Sequence, residues 1–412
     1  MASIEDQLQA PLAVPVADRE VRATLATREV SLLTTVEGLR SIEDEWLDLI
    51  ADGGHDELLH DPSIVRLALS DPSQSMAPAF IVVRNGGRLV GIAPFYYQQT
   101  EIPVRLSVVT LATLRVRALR LFGDRVLLRP EANASEILHD IFARLHTLRH
   151  TFDVIWVYAQ RLNDPLWRFL TADTRRTFRM FVTSPHVEKW HHLTFDRTFD
   201  DYTALIRTRP GFPGKTIRRF WRDMKDRCTI ERITSPVQVR AFADDVDRVY
   251  NASWQARTYG RRRRNADADV ARLETIAALG YLRSYLLRQD GEPVAFVLGY
   301  QYRGRYAYEE TGYDPKFSTY SPGSVLTHGL IQDLFATDSP HELDFGFGDG
   351  TYKRTFGTGS VDVCNMYLAQ RLRWRAILAT QQLINRFYEK AHRWIIRLGI
   401  DTTVRRLLKR QR

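Results

Sequence analysis

Apolar and polar positions alternate along the chain so as to predict strand–turn–strand units separated by stretches with helical spacing. Phe80-Ile81-Val82-Val83 and Leu89-Val90-Gly91-Ile92 flank Asn85-Gly86-Gly87, and Asn-Gly between two apolar runs predicts a tight hairpin. The pattern returns with the runs 282–287 and 294–298 around Gln289-Asp290-Gly291-Glu292. A tryptophan-bearing amphipathic segment precedes each hairpin, Ile42 to Trp46 in the first case and Val249 to Trp254 in the second. Downstream of each, 134–148 and 324–335 carry apolar residues at helical spacing and lead into buried-type strands over 152–157 and 343–347. A recurring order of elements implies duplication, so the expected architecture is two similar α/β (α+β) domains, each with a sheet flanked by helices.

Length agrees with this: 412 residues suit two domains on a prior of about 150 residues each. The pattern divides the chain into a loose leader over 1–28, domains over 29–184 and 185–370 with a boundary near Ser184-Pro185, and a tail over 371–412. The leader lacks the basic start and apolar run of a signal peptide, and nowhere do ~20 apolar residues run together, so no membrane span is expected. Cys228 and Cys364 stand alone, which fits a reducing cytoplasm. In the tail, Ile377, Ile384, Phe387, Tyr388, Ile395 and Leu398 recur at helical spacing among arginines and lysines. That amphipathic basic helix either packs on its domain or lies peripherally on an anionic inner-membrane surface.

The net charge of +9 is clustered at Arg218, Arg219 and Arg222, at Arg261 to Arg264, and from Arg405 to Arg412, which suggests an anionic partner. The aromatic interleaving of single-strand nucleic-acid binders is missing, so nucleic acid is not the expected one. The Arg261 run reads either as a solvated loop or as a clamp on a phosphate. No metal is expected, because His146/His150 and His191/His192 have no carboxylate or cysteine at ligand spacing.

The stretch 305–357 carries the chemistry. Arg305 to Tyr313 predicts a strand, 316–320 a loop, and Ser321-Pro322-Gly323-Ser324 the start of a helix. Strand, glycine turn and helix form a phosphate-binding arrangement, because free N–H groups at the positive end of the helix can hold a pyrophosphate; Ser321 as an ordinary N-cap is the plainer alternative. Asp344-Phe345-Gly346-Phe347-Gly348-Asp349-Gly350 predicts a strand ending in glycines, followed by the aromatic-basic segment Tyr352-Lys353-Arg354 rather than the helix of a nucleotide fold. Glu309 and Glu310 are adjacent on the predicted strand and so face opposite sides, leaving room for one general base, for which Glu310 is preferred. Asp344, among apolar neighbours, is a hydrogen-bond acceptor or a base, with the structural role favoured. Lys353 is suited to an oxyanion or an anionic acceptor, and Tyr352 to protonating a leaving thiolate.

Tyr313-Asp314, Tyr320-Ser321-Pro322-Gly323, Asp344-Phe345-x-x-Gly348 and Tyr352-Lys353-x-x-Phe356-Gly357 together resemble the GNAT-type acetyltransferases of the CelD group, also called BioF2-like. The likeness runs more faintly over about residues 30–370, and Lys353-x-x-Phe356-Gly357 is distantly similar to the Fem peptidyltransferases. It implies tandem GNAT-like domains and acetyl-CoA, or another acyl-CoA, as co-substrate in the second one, with the pyrophosphate on Ser321, Gly323 and Ser324. It also implies N- or O-acyl transfer to a sugar or amino-sugar precursor, free or lipid-linked, in polysaccharide biosynthesis. A Fem-like transferase using aminoacyl-tRNA and a non-catalytic membrane-surface adaptor are the alternatives.

Overall fold

The computed structural model describes residues 23–25, 28–71, 74–106, 109–172, 178–182, 187–253, 256 and 267–397. The chain divides into two units, one of Met1–Gly53, Pro72–Val187 and Cys364–Arg412, the other of Gly54–Asp71 and Glu188–Val363. Ser184 and Pro185, where the sequence put a boundary, lie outside the described residues, as do Trp254, Arg261 to Arg264 and the tail beyond Arg397. The sequence pattern did not announce that 54–71 folds with the second unit, nor that the chain from Cys364 onward folds with the first.

In the first unit β1 (Ala23–Leu25) pairs with β2 (Arg28–Leu33), so strand structure begins inside the segment expected to be a loose leader. β2, β3 (Ala77–Asn85), β4 (Arg88–Leu106) and β5 (Val109–Leu121) follow in antiparallel order, and the predicted hairpin closes at Asn85↔Arg88. The short β6 (Leu127–Leu128) pairs with β4, and β7 (Val154–Arg161) runs parallel to β5 through three residue pairs, Ala118↔Val154 to Arg120↔Trp156. β8 (Arg179–Val182) pairs with residues 366–369 of the last strand, β15 (Gly359–Ala369). The helix Ala134–Thr147 buries Ile137, Leu138, Ile141 and Leu145, spaced to form one apolar stripe, against Phe95, Leu119 and Ile155. The tail forms the helix Leu372–Arg397, whose first turns pack on this unit: Trp374 and Leu378 are buried with Ile102, Val116 and Phe181, and Trp374 Nε1 donates to Asp153 at 2.8 Å. Among the described residues no helix is long and apolar enough to cross a membrane.

The second unit repeats the plan. Its sheet runs β9 (Glu188–Thr194), β14 (Glu342–Phe347), β13 (Arg305–Tyr313), β12 (Glu292–Tyr302), β11 (Ser284–Gln289), β10 (Cys228–Ile233), with the start of β15 on the far side of β9. All neighbours are antiparallel except β13 and β14. Successive strand residues face opposite sides. Tyr285 and Leu287 accordingly pack with the helices Phe199–Arg207, Gly214–Met224 and Pro322–Thr337, whereas Leu286, Phe296 and Leu298 pack with the helices Pro236–Ala252 and Asp267–Ala278 and with Ile64.

Phe345, 1% exposed, lies in the core between the rings of Tyr308 and Tyr352 at 5.6 and 6.1 Å. Phe345→Ala is expected to lower the stability of the second unit by about 3–5 kcal/mol, because the aromatic volume lost there leaves a cavity. Urea unfolding followed by hydrogen exchange at amides of that unit measures it.

Candidate active site

β13 and β14 hold together through only three residue pairs, Arg305↔Glu342, Tyr306↔Leu343 and Ala307↔Asp344. Beyond these, 308–313 and 345–347 run on without pairing to each other. A parallel pair that parts in mid-sheet leaves unpaired backbone groups facing a wedge, and such groups need a partner, which a bound substrate can be.

Two features set the wedge. At its root the Arg305 guanidinium, 2% exposed, meets Asp344 at 2.5 Å and lies within 4 Å of Asp56, Glu57 and Glu342. Asp344 also accepts from Trp190 Nε1 and from the Gly346 N–H at 2.7 Å. It is thus the structural acceptor the sequence favoured. Along β13, the ladder to β12 shifts between Leu298 and Gly299, which face Glu310 and Tyr308 and leave Glu309 as an extra residue. The bulge removes the premise that Glu309 and Glu310 point to opposite sides. Glu309 is exposed, yet burial by the surrounding protein and then the charges of Asp344 and Glu310 push its carboxyl above the usual carboxylate range. An exposed group crowded by protein sits in a concavity. Glu310 is half-buried.

The phosphate-binding start of the helix Pro322–Thr337 takes an unexpected form. Ser321 adopts a left-handed conformation (φ 50°, ψ 59°) and, among the described residues, its side chain makes no capping hydrogen bond, so the plain N-cap reading fails. The Ser324 and Val325 N–H groups return to the Ser321 carbonyl at 2.9 and 3.2 Å, while the Gly323 N–H has no backbone partner among the described residues. A Cβ at Gly323 would make an ordinary contact with Tyr313 Cδ1 at 3.6 Å, so a small side chain fits there. Thr327 Oγ1 donates to the Gly323 carbonyl at 2.9 Å and lies 3.1 Å from the Tyr308 hydroxyl, which ties the helix start to the strand that forms the wedge. Arg219, from the helix Gly214–Met224, stacks on Tyr320 at 5.1 Å and donates to the Thr319 carbonyl at 3.0 Å, bringing a cation beside this loop. A free amide, the Ser321 and Ser324 hydroxyls, which have no hydrogen-bond partner among the described residues, and that arginine suit a pyrophosphate.

Opposite, β14 leaves the sheet through Gly346 (φ 74°) and Gly348 (φ 94°), conformations that a side chain disfavours, which accounts for the glycine-rich strand end. The segment after it is a short helix, Thr351–Phe356, where the sequence suggested none. Lys353 is buried, and its Nζ donates to the carbonyls of Gly346 and Phe347 at 3.1 and 2.8 Å. The ammonium foreseen on an oxyanion therefore holds the turn in place. Burial pushes its pKa down, against Asp344, Glu188 and Asp349, which raise it. Tyr352 packs on Tyr308 at 5.9 Å, and its hydroxyl has no hydrogen-bond partner among the described residues. Burial, with Tyr308 adding to it, pushes that hydroxyl well above the ordinary tyrosine value, so it stays protonated.

Two groups here have no part in the site as read from the sequence, where His191 figures only among possible metal ligands. His191, buried, pairs with Asp349 at 2.8 Å. Glu188 would lie 3.3 Å from a Cβ on Gly348, and burial raises its carboxyl while Lys353 lowers it. The signal for both was the polar content of β9, Glu188-Lys189-Trp190-His191-His192-Leu193-Thr194, in a strand that borders β14.

Residues 214–354 match the family model described as an acetyltransferase (GNAT) domain, and Glu309, Ser321, Gly323, Ser324, Tyr352 and Lys353 all fall inside the match. A comparison with curated proteins returned no match. Among solved structures, the chain is similar to a tandem GNAT protein from the clavulanic acid biosynthesis pathway, with 16% identity and a TM-score of 0.51 over 83% of this chain and 98% of that one. It is also similar to FemX, with 11% identity and a TM-score of 0.54 over 82% of this chain and 98% of that one. These likenesses are of fold. The fold is a tandem GNAT-like one, and the match of residues 214–354 to an acetyltransferase (GNAT) domain supports an acyltransferase as the enzyme class.

Glu309 makes a test of the concavity by pH. A carboxyl whose pKa is higher in the folded state than in the unfolded one, about 4.3, costs stability once ionised. That cost is absent below the unfolded value, grows as pH rises through the folded value, and is complete above it. Thermal melts across about pH 4 to 8 should show Glu309→Gln gaining on the parent protein as pH rises, whereas a pH-independent difference would remove the raised pKa.

Proposed function

We propose that the second unit transfers an acyl group from acyl-CoA, acetyl-CoA foremost, to an amine or hydroxyl acceptor. The observation that carries this is the parting of β13 from β14 directly before a helix whose first free amide, Gly323 N–H, has no capping side chain. Gly323, Ser321 and Ser324 receive the pyrophosphate, with Arg219 beside them, and the unpaired backbone of the wedge lines the thioester arm. Glu309, in place of the Glu310 preferred from sequence, takes the proton of the attacking acceptor; its raised pKa brings it nearer to neutral pH, where a general base works best. As the carbon–oxygen double bond opens, backbone N–H groups of the wedge stabilise the oxyanion; as the carbon–sulfur bond breaks, the Tyr352 hydroxyl gives its proton to the thiolate. Lys353 acts on none of the reacting atoms and is a positioning residue for the turn that carries Tyr352.

For the acceptor, the motif likeness to the CelD group supports a sugar or amino-sugar precursor, and the basic tail helix supports a lipid-linked form reached by peripheral contact with a membrane. A Fem-like reading with an aminoacyl-tRNA donor is favoured by the FemX-like fold and the +9 charge. The family match over 214–354 weighs for the acyl-CoA donor.

Calorimetry with acetyl-CoA separates these readings. Binding should survive Gly323→Ala, for which the structure has room, and vanish in Gly323→Trp, whose ring fills the space before the amide. An absence of acyl-CoA binding in the parent protein leaves the tRNA-dependent or adaptor reading. Tyr352→Phe should lower kcat by about 10²–10⁴ with little change in KM for acetyl-CoA. Glu309→Gln should abolish the ascending limb of the pH–rate profile while Glu310→Gln keeps it; the reverse result returns the base to Glu310.

A further inference from the structure

The first unit holds a groove of about 660 Å³ that the acyl-transfer reading does not use. Ligand pockets commonly have volumes of about 300–1,000 Å³, so it is large enough for more than solvent. Trp167 and Leu170 wall it from the helix Pro165–Ala172, Phe178, Met180 and Val182 from β8 and its approach, and Gln382 and Arg386 from the helix Leu372–Arg397. The Gln382 amide is spent on the Val182 carbonyl at 3.1 Å, which fastens helix to strand and makes the groove a built feature. Two cations border it. Arg179 lies 5.5 Å from the Phe181 ring and Arg386 is exposed, and neither has an acidic partner among the described residues. An apolar trough edged by two unpaired guanidiniums complements a molecule with a hydrocarbon part and an anionic head.

The neighbouring helix face selects among such molecules. Gln382 and Arg386 are four residues apart and face the groove; Leu383 and Phe387 follow each by one residue, about 100° further round the helix, and are 55% and 65% exposed. An exposed apolar stripe beside basic side chains is what a helix shows to the interface of an anionic bilayer. The sequence continues with Lys390, Arg393 and Arg397 against a single acid, Glu389. We propose that this groove binds one anionic membrane lipid, its hydrocarbon chain against Trp167, Leu170 and Met180 and its phosphate at Arg179 and Arg386, with Leu383 and Phe387 resting in the bilayer surface. The proposal does not depend on the acyl-transfer chemistry of the second unit.

Calorimetry on the full chain with monomeric lysophosphatidylglycerol, alongside sedimentation with vesicles of phosphatidylcholine with and without phosphatidylglycerol, tests it. One lipid should bind per chain, and the double variant Arg179→Gln/Arg386→Gln should weaken it by about tenfold or more. Met180→Trp and Leu170→Trp, which fill the groove from two sides, should abolish lipid binding while a cooperative thermal melt and a circular dichroism spectrum like the parent's report that each variant is folded. Leu383→Ser/Phe387→Ser should reduce vesicle sedimentation and spare the monomeric lipid. The proposal fails if glycerol 3-phosphate or inorganic phosphate binds as tightly as the lipid, which would mean an anion site alone. It fails equally if vesicle binding is unchanged when the groove is filled, which would mean surface charge alone, or if no lipid binds.

Discussion

The second unit hangs on a guanidinium placed where water cannot reach it. Arg305 is buried at the first of the three residue pairs that β13 and β14 share, and its guanidinium reaches Asp344 at the last of them, with Asp56, Glu57 and Glu342 close by. Taking such charges out of water is costly unless they are paired and hydrogen-bonded, and removing one partner from such a set typically costs about 3–5 kcal/mol. The value of the arrangement lies in direction. Asp344, anchored from one side by Arg305, spends its other oxygen on Trp190 and on the Gly346 amide, which fixes where the chain turns out of the sheet. Lys353 closes the same turn from below by taking two of its carbonyls. The wedge between the strands thus has a rigid floor, and its width does not rest on the flexibility of a loop.

Charge is distributed unevenly along that wedge. At the helix end, a free amide, the dipole of the helix Pro322–Thr337 and Arg219 make the surroundings positive. At the bulge, Glu309 feels Asp344 and Glu310, and Glu188 lies by Gly348, so the surroundings are negative. A donor with phosphates at one end and a thioester at the other can lie in only one direction along such a gradient. On the proposed reading, the acidic neighbours that orient the donor also add to the rise that burial gives the Glu309 carboxyl.

Much of this was legible in the chain. Period-2 runs flanked by Asn-Gly and Asp-Gly located both hairpins, Arg305–Tyr313 was bounded to the residue, and Ser321-Pro322-Gly323 marked the helix start because turn chemistry is local. What escaped depended on contacts between residues far apart in sequence. The bulge at Glu309 arises from the register against Gly299, where a Cβ would strike the Tyr306 hydroxyl, and nothing near Glu309 announces it. Lys353 reads in the sequence as suited to an oxyanion or an anionic acceptor; the Gly346 and Phe347 carbonyls it binds are set by the fold of the turn, which the local sequence does not announce. The long β4–β5 ribbon, paired from Phe95↔Leu121 to Leu106↔Val109, was passed over because its polar residues, Gln99, Glu101, Arg115 and Arg117, interrupt the apolar pattern.

The repeated plan explains why, on the proposed reading, one copy binds and the other need not. Each unit has a hairpin, a parallel strand pair held by three residue pairs, and a helix between those two strands. In the first unit the helix Ala134–Thr147 begins at Asn133, whose side chain accepts from the Ser135 and Glu136 amides, and Glu136 places a carboxylate in the first turn. Those amides are satisfied internally, and the Glu136 carboxylate is itself paired with Arg28 at 2.5 Å, so this helix start is already neutralised within the chain. In the second unit the equivalent position is Ser321, held in a left-handed conformation that turns its hydroxyl away from capping and leaves the Gly323 amide open. Capping stabilises a helix by about 1 kcal/mol, so the uncapped start forgoes stability, and the binding of an anion there can restore it. One copy kept the stable terminus and the other the vacant one, which is the asymmetry expected when a duplicated fold divides scaffold from chemistry.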